Sequence, residues 1–286
     1  MTLRNMRRNR LKMISKPCSR RDFLLFGATC FFATVIPFMN GCSRAEAKSR
    51  LVVACGNDLG GLVIQAALEK GMASGIDFGA DEAFIGDCCG STATFTLSTG
   101  DVDVAVLCPD AVVDLRESDD DFIELGTVVY DGNVLVSPTG DFSECKKIGY
   151  MDSRNEQLED LKTFVGEKDV EYRALFTFAT ASALANGLID AATMDVATAA
   201  RSGFPAVAFT SGKPTSVLVA RGSLAEDERL EQLVNVCNSY LSELQQEGEE
   251  LTQKLCELFE NDNRDEVMSW WQNSTTRFGS DLKMTK

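Results

Sequence analysis

The chain contains no histidine. That absence excludes Ser-His-Asp catalysis, histidine-ligated zinc and histidine proton shuttling together. Carboxylate, lysine and cysteine chemistry stay open. There is no C-x-x-C spacing, which argues against a thioredoxin-type or zinc-ribbon site. Bases are scarce beyond residue 49. Residues 1–49 hold ten of the 28 Lys and Arg and two of the 43 acids, leaving 18 bases against 41 acids, a formal charge of −23. A body this acidic repels nucleic acid and anionic lipid headgroups, so neither is expected as a partner. No short-period repeat is present.

What is present begins with a leader. Residues 1–21 are basic and carry no acid, and Phe23 to Phe38 is apolar apart from Thr29 and Thr34. The run falls short of the roughly 20 residues of a membrane span and suits the apolar core of a signal peptide. Ser19-Arg20-Arg21-Asp22-Phe23-Leu24 resembles the twin-arginine translocation motif, although Leu25 stands where a basic residue often follows. An ordinary secretory signal with two incidental arginines is the alternative. Met39-Asn40-Gly41-Cys42 resembles a bacterial lipobox, which implies acylation of Cys42; cleavage near Ala45-Glu46-Ala47 is the competing expectation. Residues 1–42 are therefore read as a signal segment and 43–50 as a linker.

Seven cysteines lie beyond the leader and Cys42: Cys55, Cys88, Cys89, Cys108, Cys145, Cys237 and Cys256. An odd number argues against a complete disulfide framework. Cys55, Cys88, Cys89 and Cys108 fall at or near expected strand ends. Gathered on one rim they would suit a soft metal or a metal-bearing cofactor; dispersed, they are small buried hydrophobes.

The remaining 240 or so residues alternate strand and helix patterns. Leu51–Cys55, Glu82–Gly86 and Val102–Leu107 read as strands, with helices over Leu59–Lys70 and Gly90–Thr99 and another starting at Ala111. Phe122 to Val136 is strand-like, with Asp131-Gly132 as a turn. A second cycle starts near Lys146: strands at 146–150, 172–176 and 191–195, helices at 155–165 and 180–186. Val207–Phe209 and Ser216–Ala220 are strand-like. From Glu226 to about Glu260 apolar residues recur at helical spacing, with Gly248 as an interruption, and Asp262 is placed to cap a last helix. Two βα cycles with buried parallel strands predict α/β lobes, whose ligands collect at the carboxyl ends of the strands.

Several of these segments match one family. Gly100-Asp101-Val102-Asp103-Val104-Ala105 resembles the Gly-acid-x-Asp-x-Ala signature of type II periplasmic solute-binding proteins. Gly56-Asn57-Asp58-Leu59-Gly60-Gly61 after the first strand resembles their opening turn. Lys147-Ile148-Gly149-Tyr150 resembles the start of their second lobe, and Ile189-Asp190-Ala191-Ala192 a later element. The resemblance spans about residues 51–225 and is nearest to the aliphatic-sulfonate, nitrate, taurine and thiamine-precursor group. It implies an α/β, two-lobe type II periplasmic-binding-protein fold with a hinge and an inter-lobe cleft. Lobe I is expected at 51–137 plus 221–286 and lobe II at 138–220.

Strand ends then nominate the binding residues. They are Asn57 and Asp58; Cys88, Cys89, Gly90, Ser91 and Thr92; Asp110; Asp152, Ser153 and Arg154; and Asp195. Free N–H groups at Gly90, Ser91 and Thr92 suit an anion, or Ser91 and Thr92 simply cap the helix. Asp110 equally suits capping. Arg154 suits bidentate contact with an anion, or is a solvated loop charge. Asp58, Asp110, Asp152 and Asp195 favour a cation or zwitterion.

The expected function is a non-catalytic, extracytoplasmic receptor delivering a small solute to an ABC importer permease. It would leave by the twin-arginine machinery and be held at the outer face of the cytoplasmic membrane by lipid, or lie in the periplasm. No cofactor and no resident metal is expected. A thiol-rich metal- or cofactor-binding exported protein is the alternative. An enzyme on the same fold fits less well, because the enzymes of this fold are cytoplasmic.

Overall fold

Alternation along the first strand decides how its sheet is covered. In β1 (Leu51–Cys55), Leu51, Val53 and Cys55 enter one apolar cluster, while Ala54 enters another on the opposite face. In β3 (Val104–Leu107), Val104 and Val106 face the first cluster and Ala105 and Leu107 the second. Side chains alternate across a strand, so an unbroken apolar run needs cover on both sides. Helix α1 (Leu59–Ala73) covers one face, and α2 (Gly90–Thr99) with α3 (Pro109–Glu117) the other. The computed structural model describes residues 50–77, 79–84, 90–118 and 121–284. The twin-arginine pair Arg20-Arg21, Cys42, nearly all of the 43–50 linker, Cys88 and Cys89 lie outside these.

Two sheets are formed. The six-stranded sheet also contains β2 (Ala80–Phe84), β4 (Phe122–Tyr130), β10 (Pro214–Arg221) and β11 (Arg277–Phe278), in the order β11-β4-β10-β3-β1-β2. The five-stranded sheet holds β5 (Asn133–Val136), β6 (Lys147–Met151), β7 (Glu171–Leu175), β8 (Ala191–Asp195) and β9 (Ala206–Ala208), in the order β7-β6-β8-β5-β9. Each sheet has three parallel strands joined by an antiparallel strand that enters from the other half of the chain: β10 beside β3, and β5 beside β8.

One aspartate plays the same part in each lobe. Asp103, just before β3, accepts from the Val52 N–H (2.9 Å) and donates its own N–H to the Val52 carbonyl (2.9 Å). Asp190, just before β8, accepts from the N–H groups of Lys146 and Lys147 (both 2.9 Å) and donates to the Lys147 carbonyl (2.8 Å). Those bonds hold the Asp190 carboxyl below the usual carboxylate range. The x-Asp-x-Ala pattern is thus a register pin between the first and third parallel strands. Arg221 pairs with Asp103 at 3.4 Å and adds β10 to the joint.

The chain passes between the sheets twice, at Asp131-Gly132 and at residues 209–213. Asp131-Gly132, expected as a turn within one strand-like stretch, is a crossover. The anticipated lobe boundaries at 137/138 and 220/221 each fall one strand late, because β5 belongs to the five-stranded sheet and β10 to the six-stranded one. Buried Asp131 joins the two passages. Its carboxylate accepts from Thr210 Oγ1 (2.9 Å), the Gly212 N–H (2.7 Å) and the Lys213 N–H (2.9 Å). Its φ of 52° lies in the left-handed region, which Asp tolerates better than most residues.

Helices α4 (Asn155–Val165), α5 (Thr177–Ala185) and α6 (Val196–Ser202) complete the second lobe. Helix α6 was not anticipated. The C-terminal helical stretch divides at Gly248 into α7 (Glu228–Leu244) and α8 (Glu249–Phe259), followed by α9 (Arg264–Asn273). Asn263, not Asp262, caps α9: its side chain accepts from the Glu266 N–H. Helix α7 packs on α1 through buried residues including Leu233, Cys237 and Leu241, and α8 also touches α6 of the other lobe. Among the described residues no helix is long and apolar enough to cross a membrane.

Candidate functional site

Four turns at strand carboxyl ends meet where the two lobes face each other. From the first lobe come the β1–α1 turn, with Asn57 and Asp58, and the β3–α3 turn, with Cys108 and Asp110. From the second come the β6–α4 turn, with Asp152, Ser153 and Arg154, and the β8–α6 junction at Asp195. Hydrogen bonds cross between the lobes here. The Leu59 N–H donates to Asp195 Oδ2 (3.0 Å), the Glu156 N–H to Asp110 Oδ1 (3.0 Å), and Arg201 Nη2 to the Asn57 carbonyl (3.4 Å).

Three of the four predicted acids, Asp58, Asp110 and Asp195, have a definite local role. Asp58 caps α1, accepting from the Gly61 N–H at 2.9 Å, and Ser216 Oγ donates to its second oxygen at 3.4 Å. The close approach of β10 is possible because residue 60 is glycine: a Cβ there would lie 2.3 Å from Ser216 Cβ. Asp195 caps α6, accepting from the Ala197 N–H (2.9 Å) and the Thr198 N–H (3.4 Å), and it also accepts from the first residue of α1 across the cleft. It is 6% exposed. Burial and the nearby Asp58 carboxylate push its pKa up to about 7, against the pull of the Leu59 and Ala197 N–H groups. Asp110 lies in the first turn of α3 and caps α4 of the other lobe, a helix whose own N-cap residue, Arg154, makes no side-chain cap.

Arg154 is buried, not a solvated loop charge, and acts electrostatically on Cys108. Asp152 and Ser153 are exposed, and Ser153 has φ 60°. Asn57 and Thr92 are exposed, and Gly90 and Ser91 open α2. Cys55 and Cys108 stand at the carboxyl ends of adjacent strands but are buried in separate apolar clusters on opposite faces of the sheet. Burial raises both thiols well above the ordinary value, so each is protonated at neutral pH. Among the described residues no group of three His, Cys, Asp or Glu side chains is arranged to hold a metal.

Gln157 was not foreseen. Its Oε1 accepts from the Met151 N–H (3.0 Å) and from Thr193 Oγ1 (2.8 Å), locking the β6–α4 turn beneath Ser153 and Arg154. The signal was a glutamine in the first helical turn after a strand.

A groove of about 500 Å³ opens between the lobes, lined by Asp110, Val113 and Asp114 of α3 and by Tyr150, Asp152, Ser153, Asn155 and Glu156 of the β6–α4 region. Four carboxylates and no Lys or Arg line it, so its field favours positive charge. A smaller groove of about 230 Å³ lies apart from these strand ends, between β9 and α9 at Trp270.

The fold has counterparts among solved structures. The alkanesulfonate-binding protein SsuA from Xanthomonas axonopodis pv. citri, bound to MOPS, superposes with a TM-score of 0.59 at 13% identity, covering 80% of this chain and 86% of that one. The zinc-bound ligand-binding component of an ABC-type import system from Staphylococcus aureus gives 0.61 at 12% identity, covering 83% and 87%. The methionine-binding protein MetQ gives 0.58 at 13% identity, covering 83% and 100%. The chain has the two-lobe fold of periplasmic binding proteins. No family model and no curated protein matches it by sequence. At these identities the likeness speaks for the fold, and the chemistry of the cleft has to be argued from its own residues.

Proposed function

We propose that this chain is the solute-binding component of an ABC-type importer. In this reading it is exported by the twin-arginine route, held by lipid on Cys42 at the outer face of the cytoplasmic membrane, and handed no catalytic task. The observation that carries the reading is the cleft itself: strand-end turns of two α/β lobes meet across it, and two crossovers join the lobes, the connection a hinge-closing receptor would use. The solute would sit among Asn57, Asp58, Asp110, Asp152, Ser153, Arg154 and Asp195, with Gly90, Ser91 and Thr92 at the start of α2 and the Cys88-Cys89 pair that precedes them in sequence. The carboxylate lining favours a solute bearing an amine or other cationic group.

A thermal-shift screen of amines, amino acids, sulfonates, pyrimidines and divalent metals tests this. A ligand at a hundredfold excess over its Kd adds about 2.7 kcal/mol, which for a body of this size is a rise of roughly 5–10 °C. Amine-bearing compounds should give that rise and Asp152→Asn should reduce it. No shift with any transportable compound, together with turnover of one, would overturn the receptor reading. The anchor is tested separately: globomycin should leave unprocessed precursor in expressing cells, and unchanged processing would remove Cys42 as the lipid site.

A further inference from the structure

We infer that Asp195 and Asp58 form a proton-dependent latch that sets how readily the two lobes close. The two carboxylates belong to opposite lobes: Asp58 caps α1 on the six-stranded sheet, and Asp195 ends β8 in the five-stranded one. Asp195 is bound to both sides. One oxygen caps α6, and the other accepts the Leu59 N–H from α1 at 3.0 Å. It also stands beside the first crossover. Asn133 is its strand partner, and the Val196 N–H donates to the Gly132 carbonyl at 2.8 Å. A change of lobe angle therefore alters the surroundings of Asp195.

The groups facing Asp195 are few. Asp58 comes from the β1–α1 turn, Arg201 from α6, and the Leu59 and Ala197 N–H groups from the two helix starts. Arg201 is exposed and spends a hydrogen bond on the Asn57 carbonyl, so it offsets Asp58 only in part. With the lobes together Asp195 is held out of water and beside a like charge, a combination that favours its neutral form. Opening, in this inference, breaks the Leu59 N–H bond to Asp195 and draws Asp195 away from Asp58.

The sign of the coupling follows. In the closed form Asp195 titrates near 7, against an ordinary 3.8. Below about pH 4 it is protonated in both forms and closure carries no penalty. Between about pH 4 and 7 closing takes up a proton, so the closed-to-open ratio falls by up to tenfold per pH unit as pH rises. Above about pH 7 both forms are ionised and the ratio is flat. This latch needs no solute. It rests on the two-lobe fold, so its failure would leave the receptor reading standing.

Two measurements on the purified, solute-free protein test it. Carboxyl 13C NMR, with Asp195 assigned from Asp195→Asn, should show Asp195 titrating far above 3.8. Asp58→Asn keeps a side-chain oxygen for the α1 cap while removing the like charge, and should lower the Asp195 midpoint by a unit or more. Small-angle scattering from pH 4 to 8 should show the wild type expanding as pH rises. Asp58→Asn should stay compact at pH 8, with a closed-to-open ratio at least tenfold higher. A purely structural capping role would move neither readout. An Asp195 midpoint near 3.8, or scattering curves of the two proteins that coincide at every pH, would overturn the latch. Should the variant fail to fold, the wild-type titration decides alone.

Discussion

Single residues in this protein do their work through what they allow to come close. Gly60 is the sharpest instance, since a methyl there runs into the buried Ser216 side chain. Gly60→Ala should destabilise the fold by about 1–3 kcal/mol, the usual cost of overpacking, read as a lower urea midpoint. Pairing it with Ser216→Gly should recover most of that loss. A double variant no more stable than Gly60→Ala alone would show that the contact is not where the cost arises. The site acids were legible as residue types at strand ends. Their partners were not, because Asp195 meets Leu59 and Asp110 meets Glu156 across more than forty positions of sequence. Local pattern announces a cap; it does not announce that the capped helix belongs to the other lobe.

Elements were legible where one environment acts along their whole length. β1, β3 and β8 are buried on both faces and read as apolar runs, and α7 and α8 show helical spacing because one stripe of each enters the core. Helix α6 is not legible in the sequence because its Val-Ala-Thr-Ala-Ala run follows β8 with no breaker between; only the Asp195 cap separates them. The Asp131-Gly132 crossover was hidden for a related reason. A turn inside a sheet and a passage between sheets use the same residue types, and the difference lies in the strands beyond. Asp131 makes the passage specific by collecting three donors from the returning segment. Asp131→Ala leaves those donors without their carboxylate and should cost about 2–4 kcal/mol. Hydrogen exchange should report the loss first at the Gly212 and Lys213 amides. Unchanged protection there would mean that the two passages are held together by something else.

At the scale of the whole molecule, the charge budget and the topology point to different consequences. The acidity of the body keeps it soluble and concentrates negative potential in the cleft. The topology governs the order of assembly. β4 pairs only with β10 and β11 among the described strands, and the β4–β10 register runs from Pro214 opposite Tyr130 to Arg221 opposite Phe122. A ribosome therefore releases β4 about eighty residues before its first partner exists, and the whole second lobe is made in between. Throughout that interval β3 and β4 are open edges, of the kind that recruit wrong partners. The first lobe begins first and finishes last, so a cell that makes this chain must shelter an unfinished sheet until the second lobe has been synthesised.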